Sequence, residues 1–85
     1  MEMTILKQGL KNNGGYILYE QVDEMIEEFG EGFEIVVKYS EHPKQCMSLK
    51  ELKILESTEN EYSIDIREVY LSATTYRKLF ESEEE

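Results

Sequence analysis

The chain of 85 residues has one cysteine, one histidine, one proline and no tryptophan. A single cysteine, Cys46, cannot close a disulfide within the chain, so we expect a reducing, cytoplasmic compartment. Zinc sites usually take four ligands, and His42 with Cys46 supplies only two strong ones. No basic cluster surrounds Cys46 to activate it as a nucleophile. These shortages argue against a zinc site and against thiol catalysis.

Long apolar runs and clustered basic residues are also missing. No stretch approaches the roughly 18 consecutive apolar residues of a membrane helix, and the first residues lack the basic start and apolar run of a signal peptide. The nine Lys and Arg are scattered, and the net charge is -10. Such a chain is poorly suited to bind phosphates or anionic lipids directly. A basic protein is its natural partner.

Catalytic motifs are not recognisable either. The sequence contains no glycine-rich phosphate loop and no calcium-binding loop pattern. Its 19 Asp and Glu residues offer many acid and base pairs, but no spacing selects one of them. We therefore predict a non-enzymatic protein that needs no metal and no cofactor and that acts by binding.

The negative charge is concentrated in one segment and one terminus. Residues 1 to 19 hold one acid and two bases (net +1), and residues 20 to 34 hold seven acids and no base (net -7). Residues 35 to 80 hold seven acids and seven bases, and residues 81 to 85 hold four acids (net -4). The segment from 20 to 34 is therefore the main candidate for a functional surface.

In the first half of the chain, three elements are predicted. Residues 4 to 12 form a short helix capped by Thr4 and stopped by Asn13-Gly14-Gly15, or alternatively a strand over Met3 to Lys7. Apolar residues at spacings of three and four predict a helix over 17 to 29, which Gly30 ends. Alternating apolar residues over 33 to 39 predict a strand, ended by His42-Pro43.

The second half is more ambiguous. Residues 47 to 56 contain a capping-box pattern, Ser48-x-x-Glu51, but Leu52 and Ile54 alternate, and we interpret the segment as a strand. It would form a hairpin with the alternating residues 62 to 66, and a change of phase between Ile66 and Val69 indicates a bulge or the strand's end. Ser72 then caps a last helix up to residue 80, although one helix over 64 to 80 is an alternative.

Together these elements predict an α+β fold: a small three-stranded antiparallel sheet packed by two or three helices. The element order is α-α-β-β-β-α or β-α-β-β-β-α. Residues 1 to 80 form a single acidic domain, and residues 81 to 85 form an acidic flexible tail.

The predicted helix over 17 to 29 carries the candidate binding residues. Like charges four residues apart, such as Glu20 and Glu24, each cost about 0.2 to 0.5 kcal/mol, so this surface is an expensive way to gain solubility. Tyrosine is frequent at binding hot spots, and Tyr16 and Tyr19 lie beside the acidic residues, near the start of the helix. The partner-binding candidates are Glu20, Asp23, Glu24, Glu27, Glu28, Glu31, Tyr16 and Tyr19.

A row of carboxylates about 6 Å apart along a helix imitates a line of phosphates. In size, charge and α+β character the chain resembles small acidic phage proteins such as anti-CRISPR proteins and uracil-DNA glycosylase inhibitors, although it matches no motif of theirs. The sequence therefore favours a phage-type nucleic-acid mimic that inhibits a basic nucleic-acid-handling protein, such as a CRISPR effector or other defence or repair enzyme, in a bacterial host. The alternative is an accessory or homo-oligomeric interaction module, for example a homodimer, whose acidity serves only solubility.

Overall fold

The computed structural model describes residues 4–58 and 65–81. Seven elements follow one another: α1 (Ile5–Asn12), α2 (Tyr19–Phe29), β1 (Glu34–Tyr39), β2 (Gln45–Ser48), α3 (Leu49–Ser57), β3 (Ile66–Tyr70) and α4 (Ala73–Phe80). The α+β class and the three-stranded antiparallel sheet are confirmed. The described residues contain four helices in the order α-α-β-β-α-β-α, because a helix is inserted before the last strand.

The first helix begins and ends at the predicted signals. The Lys7 N–H donates to the Thr4 side chain at 3.2 Å, which caps α1. Gly14 and Gly15 then take positive φ angles of 68° and 97° and reverse the chain. The alternative of a strand over Met3 to Lys7 is wrong for residues 5 to 7, which form the first turn of α1.

The strand predicted over 47 to 56 is wrong. Only its first two residues belong to β2, and α3 follows directly. Ser48 and Glu51 form a capping box in which Glu51 N–H donates to Ser48 Oγ (3.1 Å) and Ser48 N–H donates to Glu51 Oε1 (2.9 Å). Leu49 and Leu52 are fully buried, whereas Ile54 is 55% exposed, as expected for a helix with one inward face.

The predicted hairpin between 47 to 56 and 62 to 66 is therefore also wrong; Tyr62 and Ile64 lie outside the described residues. The strand order is β2-β1-β3, and β1 pairs antiparallel with both neighbours. The change of phase after Ile66 is a bulge, since Lys38 pairs with Glu68 and Tyr39 with Ile66, which leaves Arg67 between them. The alternative of one helix over 64 to 80 is wrong, because residues 66–70 form a strand.

A short segment covers the outer edge of β3. Ile17 N–H donates to the Val69 carbonyl at 2.9 Å, and Leu71 N–H donates to the Gly15 carbonyl at 2.8 Å. Tyr16 thereby forms an isolated antiparallel bridge with Tyr70. Residues 15 to 17 thus extend the sheet by part of a fourth strand. The helix predicted over 17 to 29 is wrong for its first two residues, since Ile17 pairs with β3 and α2 begins at Tyr19.

The helices pack on one face of the sheet. Every helix and both long strands contribute to a single core: Leu6, Leu10, Ile17, Val22, Met25, Ile35, Val37, Leu49, Leu52, Ile66, Val69, Leu71 and Phe80. Because strand side chains alternate between faces, the intervening residues point to the other side. Among the described residues, this second face, which we call the open sheet face, consists of Tyr16, Glu34, Val36, Lys38, Cys46, Ser48, Glu68 and Tyr70.

The last helix begins as predicted, since Thr75 N–H donates to Ser72 Oγ at 3.1 Å. It ends at Phe80, and the N–H of the C-cap residue Glu81 donates to the Arg77 carbonyl at 2.8 Å. The rest of the predicted acidic tail, residues 82 to 85, lies outside the described residues.

Candidate acidic interface

Helix α2 carries a continuous strip of exposed carboxylates. Its opposite side is fixed in the core by Val22 and Met25, which are 2% and 0% exposed. Gly30, at φ 96°, ends the helix, and its N–H donates to the Ile26 carbonyl at 2.9 Å. We call the following exposed residues the acidic ridge: Glu20, Asp23, Glu24, Glu27, Glu28 and Glu31. The six acidic residues singled out in the sequence thus lie along one exposed helix and its C-terminal turn.

One ridge residue forms an ion pair. Asp23 Oδ1 lies 3.2 Å from Lys53 Nζ on α3, and Lys53 also lies 3.8 Å from Glu56. The hydrogen bond with Asp23 is the main reason why the pKa of Lys53 is raised. Both side chains of the pair are exposed, so the pair adds little to stability but fixes the position of one carboxylate.

A second ridge residue has a partner within the chain. The Thr4 hydroxyl donates to the Glu28 carboxylate at 3.0 Å, and Thr4 is the N-cap of α1. Glu28 lies in the last turn of its own helix, where a negative charge is unfavourable. The positive N-terminal end of α1 offsets that cost. Glu28 is therefore the ridge residue with the clearest structural role.

The other four carboxylates have no cation beside them within the described part of the chain. Among residues 4–58 and 65–81, no Lys, Arg or His nitrogen lies within 4.0 Å of the carboxylates of Glu20, Glu24, Glu27 or Glu31. The last turn of α2 contains no basic residue either. Most of the negative potential of the ridge is therefore available to an external group.

An apolar side chain stands next to these carboxylates. Ile5, at the start of α1, is 92% exposed. It lines an open groove of about 670 Å³ together with Thr4, Leu6, Glu24, Glu27 and Glu28. The ridge thus has an apolar contact point at its C-terminal end, on the side of α1.

The two predicted tyrosines are placed differently from the carboxylates. Tyr19 is 45% exposed, and its hydroxyl points to the Ile66 carbonyl of β3 at 3.4 Å. Tyr16 is 51% exposed, and its ring centroid lies 5.5 Å from that of Tyr70. Tyr19 adjoins the ridge, whereas the ring contact of Tyr16 belongs to the open sheet face.

A lysine completes the cluster around Tyr16. Lys44 Nζ lies 5.4 Å from the ring centroid of Tyr70. A hydrogen bond with Tyr70 is the main reason why the pKa of Lys44 is raised. The sequence alone does not single out Tyr70 or Lys44, because their proximity to Tyr16 depends on the strand order.

Several residues near the acidic ridge could not be identified from sequence patterns either. Ile5 lies in the predicted first helix, but its exposure next to the ridge depends on how α1 packs against α2. The pairing of Lys53 with Asp23 depends on residues 49–57 being helical. Only the capping box at Ser48 signalled that helix in the sequence.

In the described part of the chain, no group of three or more His, Cys, Asp and Glu side chains is arranged to hold a metal ion. None of the helices described is long and apolar enough to cross a membrane. Comparison of the chain with protein-family models, curated proteins and solved structures finds no match.

Proposed function

We propose that this protein binds a basic, nucleic-acid-handling protein and inhibits it by occupying the nucleic-acid site with the acidic ridge. The observation that carries this proposal is the state of the ridge: Glu20, Glu24, Glu27 and Glu31 have no cationic partner among the described residues. In the complex, lysines and arginines of the partner that normally contact phosphates would pair with these four carboxylates.

The acidic ridge lowers the stability of the protein, which supports the view that it is retained for a function. Glu20 with Glu24, Asp23 with Glu27, and Glu24 with Glu28 are like-charge pairs within α2, each worth about 0.2 to 0.5 kcal/mol of destabilisation. Mixed charges would solvate this helix equally well. A protein that keeps such a surface gains long-range attraction to a positive groove, which raises the rate of association.

The groove beside Ile5 supports a specific contact rather than general polyanion behaviour. Interfaces combine a desolvated apolar contact with a polar surround. Ile5 with Glu24 and Glu27 offers both within one groove. The proposed partner therefore presents Lys or Arg side chains around an apolar patch, in the cytoplasm of a bacterial host if the inhibitor is phage-encoded.

A competition experiment tests the proposal. Purified nucleic-acid-handling proteins, including a CRISPR effector nuclease and a uracil-DNA glycosylase, are loaded with fluorescent DNA, and its release by this protein is followed by anisotropy. We expect release at 50 mM salt and weaker release at 300 mM salt, because screening weakens the contacts of an exposed charged surface.

Two matched variants locate the interaction. Glu24→Lys with Glu27→Lys changes the ridge, and Glu41→Lys with Glu81→Lys makes the same change in net charge elsewhere. We expect the ridge variant to lose at least about tenfold in affinity at low salt, and the control variant to lose much less. Equal losses would show that only net charge matters. If neither the wild type nor the control variant releases DNA, the proposal is contradicted.

A second candidate function is an accessory or homo-oligomeric interaction module whose acidity serves solubility. The open sheet face, with Tyr16 and Tyr70 in contact, favours it. A partner that stays bound at high salt and is insensitive to the ridge variant would support this second function over mimicry.

A further inference from the structure

We infer that the open sheet face is the interface of a homodimer, in which a second copy of this chain packs against it face to face. The inference does not rest on mimicry by the acidic ridge. It rests on the composition of the face and on how its charges are arranged about a twofold axis.

An apolar row crosses the middle of the open sheet face. Cys46 pairs with Val36, Val36 pairs with Tyr70, and Tyr70 forms a bridge with Tyr16. Residues paired in this way point to the same side of a sheet, so their side chains form one line across all strands. Tyr16, at the end of this row, is 51% exposed. Apolar and aromatic side chains in such a line are typical of the centre of a protein interface.

The charges around the row are self-complementary. Along β1 the outward residues are Glu34, Val36 and Lys38. A twofold axis that runs along the apolar row, between two facing sheets, places Val36 against Val36 and Glu34 of each copy against Lys38 of the other. Lys38 Nζ donates to the Ser40 carbonyl at 3.0 Å, and an ammonium group has two further protons for the carboxylate.

The open sheet face differs from the ridge in its charge balance. Its two acids, Glu34 and Glu68, are matched by Lys38 on the face and Lys44 above Tyr70, whereas the ridge has six acids and no base. Two copies of a chain with net charge -10 repel each other in most orientations. Contact through the open sheet face keeps the ridges apart on the outer, helical sides of the dimer. Both ridges stay accessible there.

The area of the open sheet face determines how tightly we expect two copies to bind. The three strands and the short fourth segment lie about 4.8 Å apart and are about 10 to 20 Å long, which gives roughly 290 Å² in projection, well under the ~800 Å² per partner of a stable complex. We therefore expect a weak, reversible dimer with a dissociation constant in the micromolar range or above.

Sedimentation velocity from 5 to 500 µM protein, in 0.01 M and in 0.15 M salt, tests the dimer. We expect the dimer fraction to rise with concentration and to be higher at 0.15 M salt. The Debye length falls from about 30 Å to about 8 Å between these conditions, which suppresses the repulsion between the two acidic chains. Binding through the ridge has the opposite salt dependence, so the two interactions are separable.

Charge exchange identifies the face. Glu34→Lys alone and Lys38→Glu alone each place like charges opposite each other, and we expect at least a tenfold weaker dimer. The double variant restores the opposite pairing and regains most of the affinity. Val36→Lys weakens the dimer as well, whereas the ridge variant Glu24→Lys with Glu27→Lys keeps it or strengthens it. Thermal unfolding of each variant checks that the fold is intact.

A chain that stays monomeric at 500 µM in 0.15 M salt would overturn the inference. A dimer that persists in Val36→Lys, or that fails to recover in the double variant, would place the contact elsewhere and overturn it too. If Tyr16 and Tyr70 resonances shift only on addition of a different protein, the face belongs to that partner and not to a second copy.

Discussion

Asp23 on α2 and Lys53 on α3 form an ion pair with 3.2 Å between Oδ1 and Nζ. It is the only ion pair of the acidic ridge within the described residues, and it joins two helices that pack side by side. Lys53 therefore lies within reach of the acidic ridge and neutralises one of its carboxylates, that of Asp23. The carboxylates of Glu20, Glu24 and Glu27 have no such counterion among the described residues.

Removal of this pair has a measurable effect on Lys53. In Asp23→Asn, we expect the pKa of Lys53 to fall towards the ordinary lysine value of about 10.4. A folded-state pKa that is raised gives stability below the unfolded pKa, and this stability is lost as pH rises through the folded pKa. The small stabilisation that the pair contributes is therefore present at neutral pH and absent at pH values well above the lysine titration, whereas the relief of repulsion between Asp23 and Glu27 in the variant persists at both.

NMR titration of the lysine side chains measures this pKa directly. Glu56→Gln is the control, since Glu56 is the more distant partner, at 3.8 Å, and contributes less to the raised pKa. A Lys53 pKa that is unchanged in Asp23→Asn would show that the pair does not persist in solution.

Neutralising the ridge is expected to stabilise the protein. Glu24→Gln with Glu27→Gln removes the like-charge pairs of these residues with Glu20, Asp23 and Glu28, and we expect a gain of about 0.5 to 1.5 kcal/mol at low salt. Urea unfolding at 0.01 M and 0.5 M salt measures it, and the gain shrinks at high salt. A loss of stability would mean that the ridge is stabilised by contacts within the chain.

Glu28→Gln is the matched comparison, because Glu28 accepts a hydrogen bond from Thr4 at 3.0 Å. Its removal relieves repulsion but weakens a charged hydrogen bond at the start of α1, so we expect no gain or a small loss. Thr4→Ala removes the N-cap as well and is expected to cost about 1 kcal/mol.

The elements predicted correctly from the sequence are those in which independent local signals agree. In α1 the cap at Thr4 and the glycine turn coincide, and in α2 the apolar spacing coincides with Gly30. In residues 47 to 56 the signals disagree, because alternation indicates a strand and the capping box at Ser48 indicates a helix. Burial of Leu49 and Leu52 against the sheet, a tertiary effect, decides for the helix.

The acidic ridge and the open sheet face also differ in how far they could be predicted from the sequence. The exposed acids of α2 could be predicted, because one helix positions them all. The contact of Thr4 with Glu28 spans 24 residues, and the row from Cys46 to Tyr16 requires the strand order β2-β1-β3. Neither is encoded in local spacing, since both depend on how distant elements pack.

Two substitutions in α3 test the corrected element. Leu52 is fully buried and Ile54 is 55% exposed. We expect Leu52→Ala to cost about 2 to 5 kcal/mol in urea unfolding and Ile54→Ala less than about 1 kcal/mol. A strand would place both residues on one face and give similar losses, so equal costs would contradict the helix.

The turn before Tyr16 offers a last comparison between neighbouring glycines. Both Gly14 and Gly15 have positive φ, so an alanine at either position is strained by about 1 to 2 kcal/mol. A Cβ at Gly14 meets no atom within 4 Å, whereas one at Gly15 would lie 3.2 Å from the Tyr76 ring. We therefore expect Gly15→Ala to be less stable than Gly14→Ala by about 1 kcal/mol or more in urea unfolding.

Gly15 also holds residues 15 to 17 at the edge of the sheet, because its carbonyl accepts the Leu71 N–H at 2.8 Å. A shift of this turn moves Tyr16 away from Tyr70, so Gly15→Ala is expected to weaken the dimer as well, while Gly14→Ala leaves it intact. Tyr76→Ala in the Gly15→Ala background relieves the ring contact, and a double-mutant cycle measures the coupling. Additive losses in that cycle would show that the Tyr76 ring is not the obstacle.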